Sequence, residues 1–416
     1  YRVALGALDQ ESIATGGNYF DRHNLRINLD ASPTDKIEIG TTLSLSRSVQ
    51  EGTQQAFNSS NLQGPQALGV QLQNTLGPVY NADGNYAMIS PTFAGFNVGP
   101  GTGRNNNMGY ANGDYYNIKQ TINNILLNAY VSYSPIENLT IKGTGAVRSN
   151  SRGSSNFNKK VRNYFPDGSS YFAPDSDRNR SDENIEFFTE TYFLTADYDL
   201  EIGDGNLTAL IGYSQEENTI TNFKGSRDGH LTDGVQVINA GLTGNQQAQG
   251  GETGFSVQSY FARVDYNYMG KYLVEANIRR DGSSRFKNEK WGVFPSFSAG
   301  WIMSEEDFLS SNDLIDFLKI RASWGELGNS NIPNFAFAKS LSLDEAYSFG
   351  GVIAPGVGQS SLGNENLSWE KTTSTNFGVN LVLNNGLGVD FDLFTKETTD
   401  ILYNLPVNVL TGFTSQ

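Results

Sequence analysis

Apolar and polar residues alternate with a period of two along most of this chain, the spacing of strands with one apolar face. Leu25, Ile27 and Leu29 alternate with Asn24, Arg26, Asn28 and Asp30. Ile37, Ile39, Leu43 and Leu45 are set against Glu38, Gly40, Thr42 and Ser44. The same rhythm runs through Leu127–Tyr133, Tyr192–Leu200, Tyr260–Tyr268, Tyr272–Ile278, Leu318–Trp324, Phe377–Leu383 and Leu387–Leu393. It predicts about thirteen strands.

Connection lengths alternate as well. Ala31–Lys36, Pro135–Asn138, Glu201–Asn206, Met269–Lys271 and Asn384–Gly386 are tight turns of Pro, Gly, Asn and Asp. Between them lie the long polar stretches Glu51–Asn117, Ser151–Glu183, Asn218–Thr253 and Gly328–Asn366. Ser304–Phe317 is a longer connection, and the spacing of Phe308, Leu309, Leu314 and Ile315 predicts a short helix there. Short turns at one end and long loops at the other are the habit of outer-membrane barrels. Phe20–Ala31 and Ile125–Pro135 predict strands of about 11–12 residues, close to the 9–11 that cross a bilayer at a tilt. Tyr133, Tyr198, Tyr266, Tyr268, Tyr272 and Trp301 gather beside the tight turns, where an interfacial aromatic girdle sits.

Composition narrows the function classes. Aromatics make up 12% of the 416 residues and charged residues only 18%, which favours β structure over helix bundles or disorder. A net charge of −15 argues against nucleic acid, whose phosphates need clustered Lys and Arg. No apolar run approaches the length of a membrane helix, a test that membrane strands escape. With no cysteine, disulfides and thiolate chemistry are excluded. His23 at a strand start and His230 in a Gly- and Asp-rich loop are the only histidines, too few for a zinc site of three nitrogens. Neither has a sequence neighbour that suggests a nucleophile, and no catalytic residue, metal or cofactor is assigned. The residues alone leave a soluble β domain beside the membrane barrel; loop asymmetry and tyrosine placement favour the barrel.

One stretch is more specific. Arg279-Arg280-Asp281-Gly282-Ser283-Ser284-Arg285-Phe286 is followed by Trp291-Gly292-Val293-Phe294-Pro295-Ser296 and Gly300-Trp301. Then come Leu318-Lys319-Ile320-Arg321-Ala322-Ser323-Trp324-Gly325, Gly328-Asn329 and Asn364-Glu365-Asn366-Leu367-Ser368-Trp369-Glu370. Together these closely resemble the SusC/RagA family of TonB-linked outer-membrane proteins, and Tyr1–Leu8, Phe20–Ser46 and Lys396–Pro406 resemble it too. The resemblance implies an all-β fold, a transmembrane antiparallel barrel with long extracellular loops and a presumed 22 strands around a plug. It further implies import of large nutrients (glycans or peptides), a SusD-like surface lipoprotein as lid, and energy from the TonB-ExbB-ExbD complex. Residues 1–416 read as an internal piece of that barrel, with plug, N-terminal domain and last strands outside it.

Candidate binding residues are loop aromatics. Tyr164, Phe165, Tyr171 and Phe172 flank Pro166-Asp167-Gly168. Tyr115 and Tyr116 close the longest loop, with Tyr80, Tyr86, Phe93, Phe96 and Tyr110 before them. Rings beside Asn and Asp offer stacking surface and hydrogen bonds to sugars or peptides; folding of the loops themselves and docking of the lid are competing roles. Arg263, Asp265, Glu275, Arg279 and Asp390 fall on the polar face and would line the lumen, most of them holding plug or wall. Asp175, Asp177, Asn179 and Glu186 have the spacing of a calcium loop, but Arg180 stands where its glycine belongs, so a solvated acidic loop is expected. Gly99-Pro100-Gly101-Thr102-Gly103 lacks the lysine of a phosphate loop. Arg279, Arg280, Asp281 and Arg285 read as hairpin geometry and ion pairing. Two further readings stand beside import: a surface-binding or adhesive barrel, and a soluble β-rich glycan hydrolase with paired carboxylates.

Overall fold

The computed structural model describes residues 1–11, 19–52, 80–85, 116–160, 162–164, 170–172, 177–309, 312–404, 406, 408, 410 and 413. The chain runs through β1 (Arg2–Glu11), β2 (Tyr19–Thr34), β3 (Ile37–Gly52), β4 (Tyr116–Ile136) and β5 (Leu139–Asn158). A small hairpin, β6 (Arg162–Tyr164) and β7 (Ser170–Phe172), precedes β8 (Asn179–Ile202) and β9 (Gly205–Asp228). Next are β10 (Gln246–Tyr268), β11 (Tyr272–Ser283), β12 (Trp291–Ile302) and β13 (Ile315–Asn329). A second hairpin, β14 (Leu341–Phe349) and β15 (Val352–Gln359), leads to β16 (Glu370–Leu383) and β17 (Gly388–Thr399). Setting the two small hairpins aside, thirteen strands form one antiparallel sheet in chain order, with β1 and β17 at its edges.

Register gathers most of the apolar residues on one face, with Phe193, Leu210, Phe261 and Leu273 among the exceptions on the other. One row reads Ile37, Tyr133, Ile141, Ala196, Ile211, Ala262, Ile278 and Pro295 across eight successive strands. A lower row reads Leu200, Leu207, Tyr266, Val274, Ala299, Ala322, Phe377 and Leu393. Large side chains of this face are bare: Ile211 is 64% exposed, Phe297 55% and Leu194 53%. Among the described residues only Ile118, Phe157, Phe286, Phe294 and Trp369 are buried hydrophobics. A soluble sheet of this size hides its apolar face in a core; an uncovered apolar face this wide is one that lipid covers.

Aromatic rings border that face on both sides. Toward the tight turns, Tyr266, Tyr268, Tyr272 and Trp301 stack in sequence, with centroids 6.3, 6.2 and 6.4 Å apart. Toward the loops, Tyr213, Tyr260 and Trp291 follow at 5.3 and 6.0 Å. Trp291 and Trp301 end the same strand, roughly 33 Å apart along the chain and roughly 25 Å apart in depth at a strand tilt of about 40°. That matches the apolar band of about 25 Å in outer-membrane barrels. The expected girdle is therefore present on the turn side, and a second exists on the loop side.

The strands are longer than expected, with 24 residues in β8 and β9 and 23 in β10. Much of the stretches read as loops, Ser151–Asn158 and Asn218–Asp228 among them, continues the ladder. Beyond the band the outer face turns polar, as where Glu190 and Glu217 stand opposite each other on β8 and β9. Pairing persists there because backbone hydrogen bonding is independent of which side chains face out. The β10–β11 turn places Met269 and Gly270 at φ 54° and 69°, the two positive values a tight mirror-image turn demands.

Among the described residues of Ser304–Phe317, the expected helix is reduced to a single 3-10 turn, Met303–Glu305. Its next residue anchors the connection instead. Glu306 accepts hydrogen bonds from Tyr272 Oη at 2.7 Å and Trp301 Nε1 at 3.1 Å, and pairs with Lys271 Nζ at 3.4 Å. The Tyr272 hydroxyl foremost, then Trp301 and Lys271, hold the Glu306 carboxyl below the usual glutamate range. A depressed carboxyl stabilises the fold above its unfolded value of 4.5 and loses that contribution as pH falls through the lower folded value. Amide protection factors in 302–309, corrected for the intrinsic pH dependence of exchange, should thus stay flat above pH 5 and fall as the buffer is taken below 4.5, with Glu306→Gln flattening the profile. A second expectation concerns facing. Ile27→Arg should cost about 2–4 kcal/mol at the apolar face and reduce heat-modifiable barrel in membranes. Ser298→Arg, opposite Glu275 on the polar face, should assemble normally.

Candidate functional site

Two regions concentrate interacting side chains: the polar face, and the loop end above it. On the polar face Arg263 Nε meets Asp265 Oδ2 at 2.8 Å, and Asp265 stands directly opposite Glu275. Asn277 Nδ2 donates to Glu275 Oε1. Asp265 and Glu275 line a cavity of about 370 Å³ together with Lys319, Arg321 and Asn376. Arg321 is the hub of this wall. It bonds Asp392 Oδ1 at 2.6 Å, Asn380 Oδ1 at 3.1 Å and Asn376 Oδ1 at 3.3 Å, while Asn380 reaches Asp390 at 2.6 Å. Of the five polar residues singled out from sequence, Arg263, Asp265 and Glu275 therefore come together, and Asp390 joins the wall through Asn380. Arg279 stands apart, four residues along β11, paired with Asp281 at 2.7 Å and bonded to Ser259 Oγ at 2.8 Å. Lys319, Arg321 and Asp392 were missed as site residues, although alternation already put them on the polar face; only the strand-to-strand register joins them.

At the loop end the most specific sequence motifs meet in one knot. Phe286 and Phe294 pack on Trp369 with centroids 5.4 and 5.3 Å away, joined by Ile332 and Leu367. Trp369 Nε1 donates to the Lys290 carbonyl at 2.9 Å, and Asn288 Nδ2 donates to the Glu365 carbonyl at 3.1 Å. Arg285 bonds Asn334 Oδ1 at 2.9 Å and the Ser330 carbonyl at 3.2 Å, and lies 4.0 Å from the Phe255 ring. Burial lowers the pKa of this guanidinium, which still carries its charge at any physiological pH. Glycine is required nearby. A Cβ on Gly328 would stand 2.0 Å from Phe294, and one on Gly292 2.3 Å from it. The β11–β12 hairpin and the long connection before β16 are thereby stapled together.

The remaining candidates fare differently. Tyr164 is half-buried in the β6–β7 hairpin, opposite Ser170, and the register sets Tyr171 against Asn163 and Phe172 against Arg162. Phe165 and Tyr115 lie outside the described residues, as do the side chains of Tyr116, Tyr171 and Phe172 and the loop residues Tyr86, Phe93, Phe96, Tyr110 and Gly99–Gly103. Asn179 and Glu186 occupy one extended strand, roughly 23 Å apart, so the calcium-loop spacing does not close into a loop; Asp175 lies outside the described residues. His230 is buried against Phe157, edge to face at 5.4 Å, with Nε2 3.0 Å from the Val237 carbonyl. That is loop packing. His23 faces Arg47 and Ala7 within the ladder.

The sequence model described as TonB dependent receptor-like, beta-barrel, matches residues 61–416. The chain belongs to that family. That family is one of outer-membrane receptors. A TonB-dependent receptor of Formosa agariphila is 30% identical over 424 aligned positions, covering 99% of this chain and 37% of the relative. TonB-dependent receptor SusC of Bacteroides thetaiotaomicron is 37% identical over 164 residues, 38% of this chain and 16% of SusC. In structure, the RagAB peptide importer in its closed-closed state matches with a TM-score of 0.80 at 22% identity, over 100% of this chain and 44% of that one. The chain thus spans about two-fifths of the length of the Formosa receptor and of the matched RagAB chain.

Truncating the knot tests its role in the receptor. Trp369→Ala or Phe286→Ala should cost about 3–5 kcal/mol locally. Proteolysis within 284–290 and 330–369 should accelerate, while the strands between the girdles keep their exchange protection.

Proposed function

We propose that this chain is the wall and extracellular loops of an outer-membrane importer of large nutrients, glycans or peptides, energised through TonB. The observation that carries the reading is the two-faced sheet: apolar outside between two aromatic girdles, and inside a polar wall built around Arg321, Asp265 and Glu275. An adhesive barrel needs only the outside. A densely paired inner wall suits a lumen that holds a plug and passes hydrophilic cargo. Residues 1–416 would be one part of the barrel domain, with plug and N-terminal region elsewhere in the parent protein. Arg263, Asp265, Glu275 and Arg279 face the lumen in this reading and chiefly hold plug and wall.

The partner proposed is a SusD-like surface lipoprotein resting on the loop end, with the TonB-ExbB-ExbD complex acting on the plug side. Likeness to SusC supports the first, and family membership supports the second. Tyr164, Phe165, Tyr171, Phe172, Tyr115 and Tyr116 are proposed to contact substrate, since the β6–β7 hairpin sets tyrosines near Asn163 at the loop end. The soluble hydrolase reading gives way to a receptor family whose apolar face is bare.

The test is uptake by cells that carry or lack the full-length gene, offered fluorescently labelled oligosaccharides and peptides. Import should vanish on deletion, on loss of TonB and on collapse of the proton gradient. Surface binding that persists without internalisation in the intact strain would overturn import in favour of an adhesive barrel.

A further inference from the structure

The apolar face is not evenly filled. Between the loop-side girdle and mid-membrane it carries a groove of about 530 Å³, almost wholly apolar in lining. Its cause is the row Ile141, Ala196, Ile211, Ala262 and Ile278 across five strands. Alanine alternates with isoleucine there, so methyl groups form the floor and branched side chains the banks. The row spans roughly 19 Å across the strands.

The loop-side end of the groove is polar in one particular way. Tyr213, Tyr260 and Arg280 close it, and Tyr260 stands directly opposite Arg280 in the ladder. The Arg280 guanidinium lies 4.7 Å from the Trp291 ring centre, a cation–π contact that by itself engages none of its hydrogen-bonding capacity with an acceptor. Arg280 makes no ion pair among the described residues, whereas its neighbour Arg279 is paired with Asp281. Tyr260 Oη accepts from Gln258 Nε2 at 3.4 Å and keeps its own proton to donate. Two unspent donors, one cationic, therefore sit at the depth of a lipid headgroup, directly above an apolar trough. By register Glu190 and Glu217 lie on the same face four residues further along β8 and β9, roughly 13 Å beyond, and confine an anion to the Arg280 position.

We propose that this groove is a binding site for one anionic membrane lipid, with an acyl chain along the Ile–Ala row and the headgroup phosphate on Arg280 and Tyr260. Charge complementarity decides the occupant. A zwitterionic lipid or detergent fills the trough equally well but gains less from an unpaired guanidinium. The inference rests on the apolar face meeting lipid, as the outer-membrane reading requires.

The test uses the full-length receptor, purified from membranes in mild detergent and followed by native mass spectrometry with dioleoylphosphatidylglycerol or dioleoylphosphatidylcholine added. The wild type should retain one phosphatidylglycerol at least fivefold more tightly than phosphatidylcholine. Arg280→Gln should erase that preference by weakening phosphatidylglycerol retention far more than phosphatidylcholine retention, and Ala262→Phe, which fills the trough, should lose both. Equal retention of the two lipids by the wild type, or a preference that survives Arg280→Gln, overturns the site. If Ala262→Phe fails to assemble, the Arg280→Gln comparison alone decides. A wild-type receptor absent from the outer-membrane fraction would overturn the lipid-facing reading itself, a failure distinct from loss of selectivity.

Discussion

Everything in this structure depends on pairing backbone N–H and C=O groups where no water can replace a partner. In hydrocarbon an unmade backbone hydrogen bond costs several kcal/mol, so only a continuous ladder is tolerated. The three register shifts of the main sheet obey that limit. They fall between Ala31 and Thr34, Tyr133 and Ile136, and Ile315 and Phe317, all beside the turn end and clear of the apolar band. Within the band no ladder shifts register, and the one that stops short is β12–β13, whose pairing ends at Ser296 and Gly325 before Trp291 is reached. A slip of one residue would turn Ile27, Leu43 and Leu127 inward and Arg26, Ser44 and Arg148 toward lipid, so the side-chain pattern enforces the same register that the backbone requires.

That constraint separates the molecule into three zones with different chemistry. Between the girdles, the outer face is free to be only apolar, and the inner face can hold charges because they pair across strands, as Arg321 does with Asp392. Beyond the turn-side girdle, short connections are secured by single anchors such as Glu306. Beyond the loop-side girdle the strands continue in water, and the long connections need cores of their own. Phe286, Phe294 and Trp369 supply one, and Phe157 with His230 supplies another. The residues that make the family recognisable in sequence are mostly those of the first core. They are specific because a buried indole, a guanidinium with several partners and glycines under a ring all have to coincide, and few alternatives satisfy that geometry.

Strand number, antiparallel order, the facing of Leu25, Ile27 and Leu29, and the girdle at Tyr266–Tyr272 were legible in the linear chain, since period-two alternation and turn chemistry are local properties. Strand length was underestimated because hydropathy marks where lipid ends and not where hydrogen bonding ends. The connection after β12 was read as helical from four apolar residues, whereas Phe308 and Leu314 are 65% and 73% exposed and Glu306 directs the chain instead. The polar wall was half legible: alternation assigned Arg263, Asp265 and Glu275 to the inner face but could not choose Arg321 over any other inward cation.

The sequence by itself therefore determined the two faces, the turn and loop ends and the family, because each is written in spacing of a few residues or in a contiguous motif. Only the tertiary structure decided which distant residues share a site. Arg321 lies 71 positions from Asp392 and Ile141 137 from Ile278, and each pair or row is set by the register of strands that the chain visits far apart; Lys290, 79 positions from Trp369, is brought to it by the strand ends beside them. The physical reason is that a ladder hydrogen bond is indifferent to sequence separation. It places two residues about 5 Å apart whatever the length of chain between them.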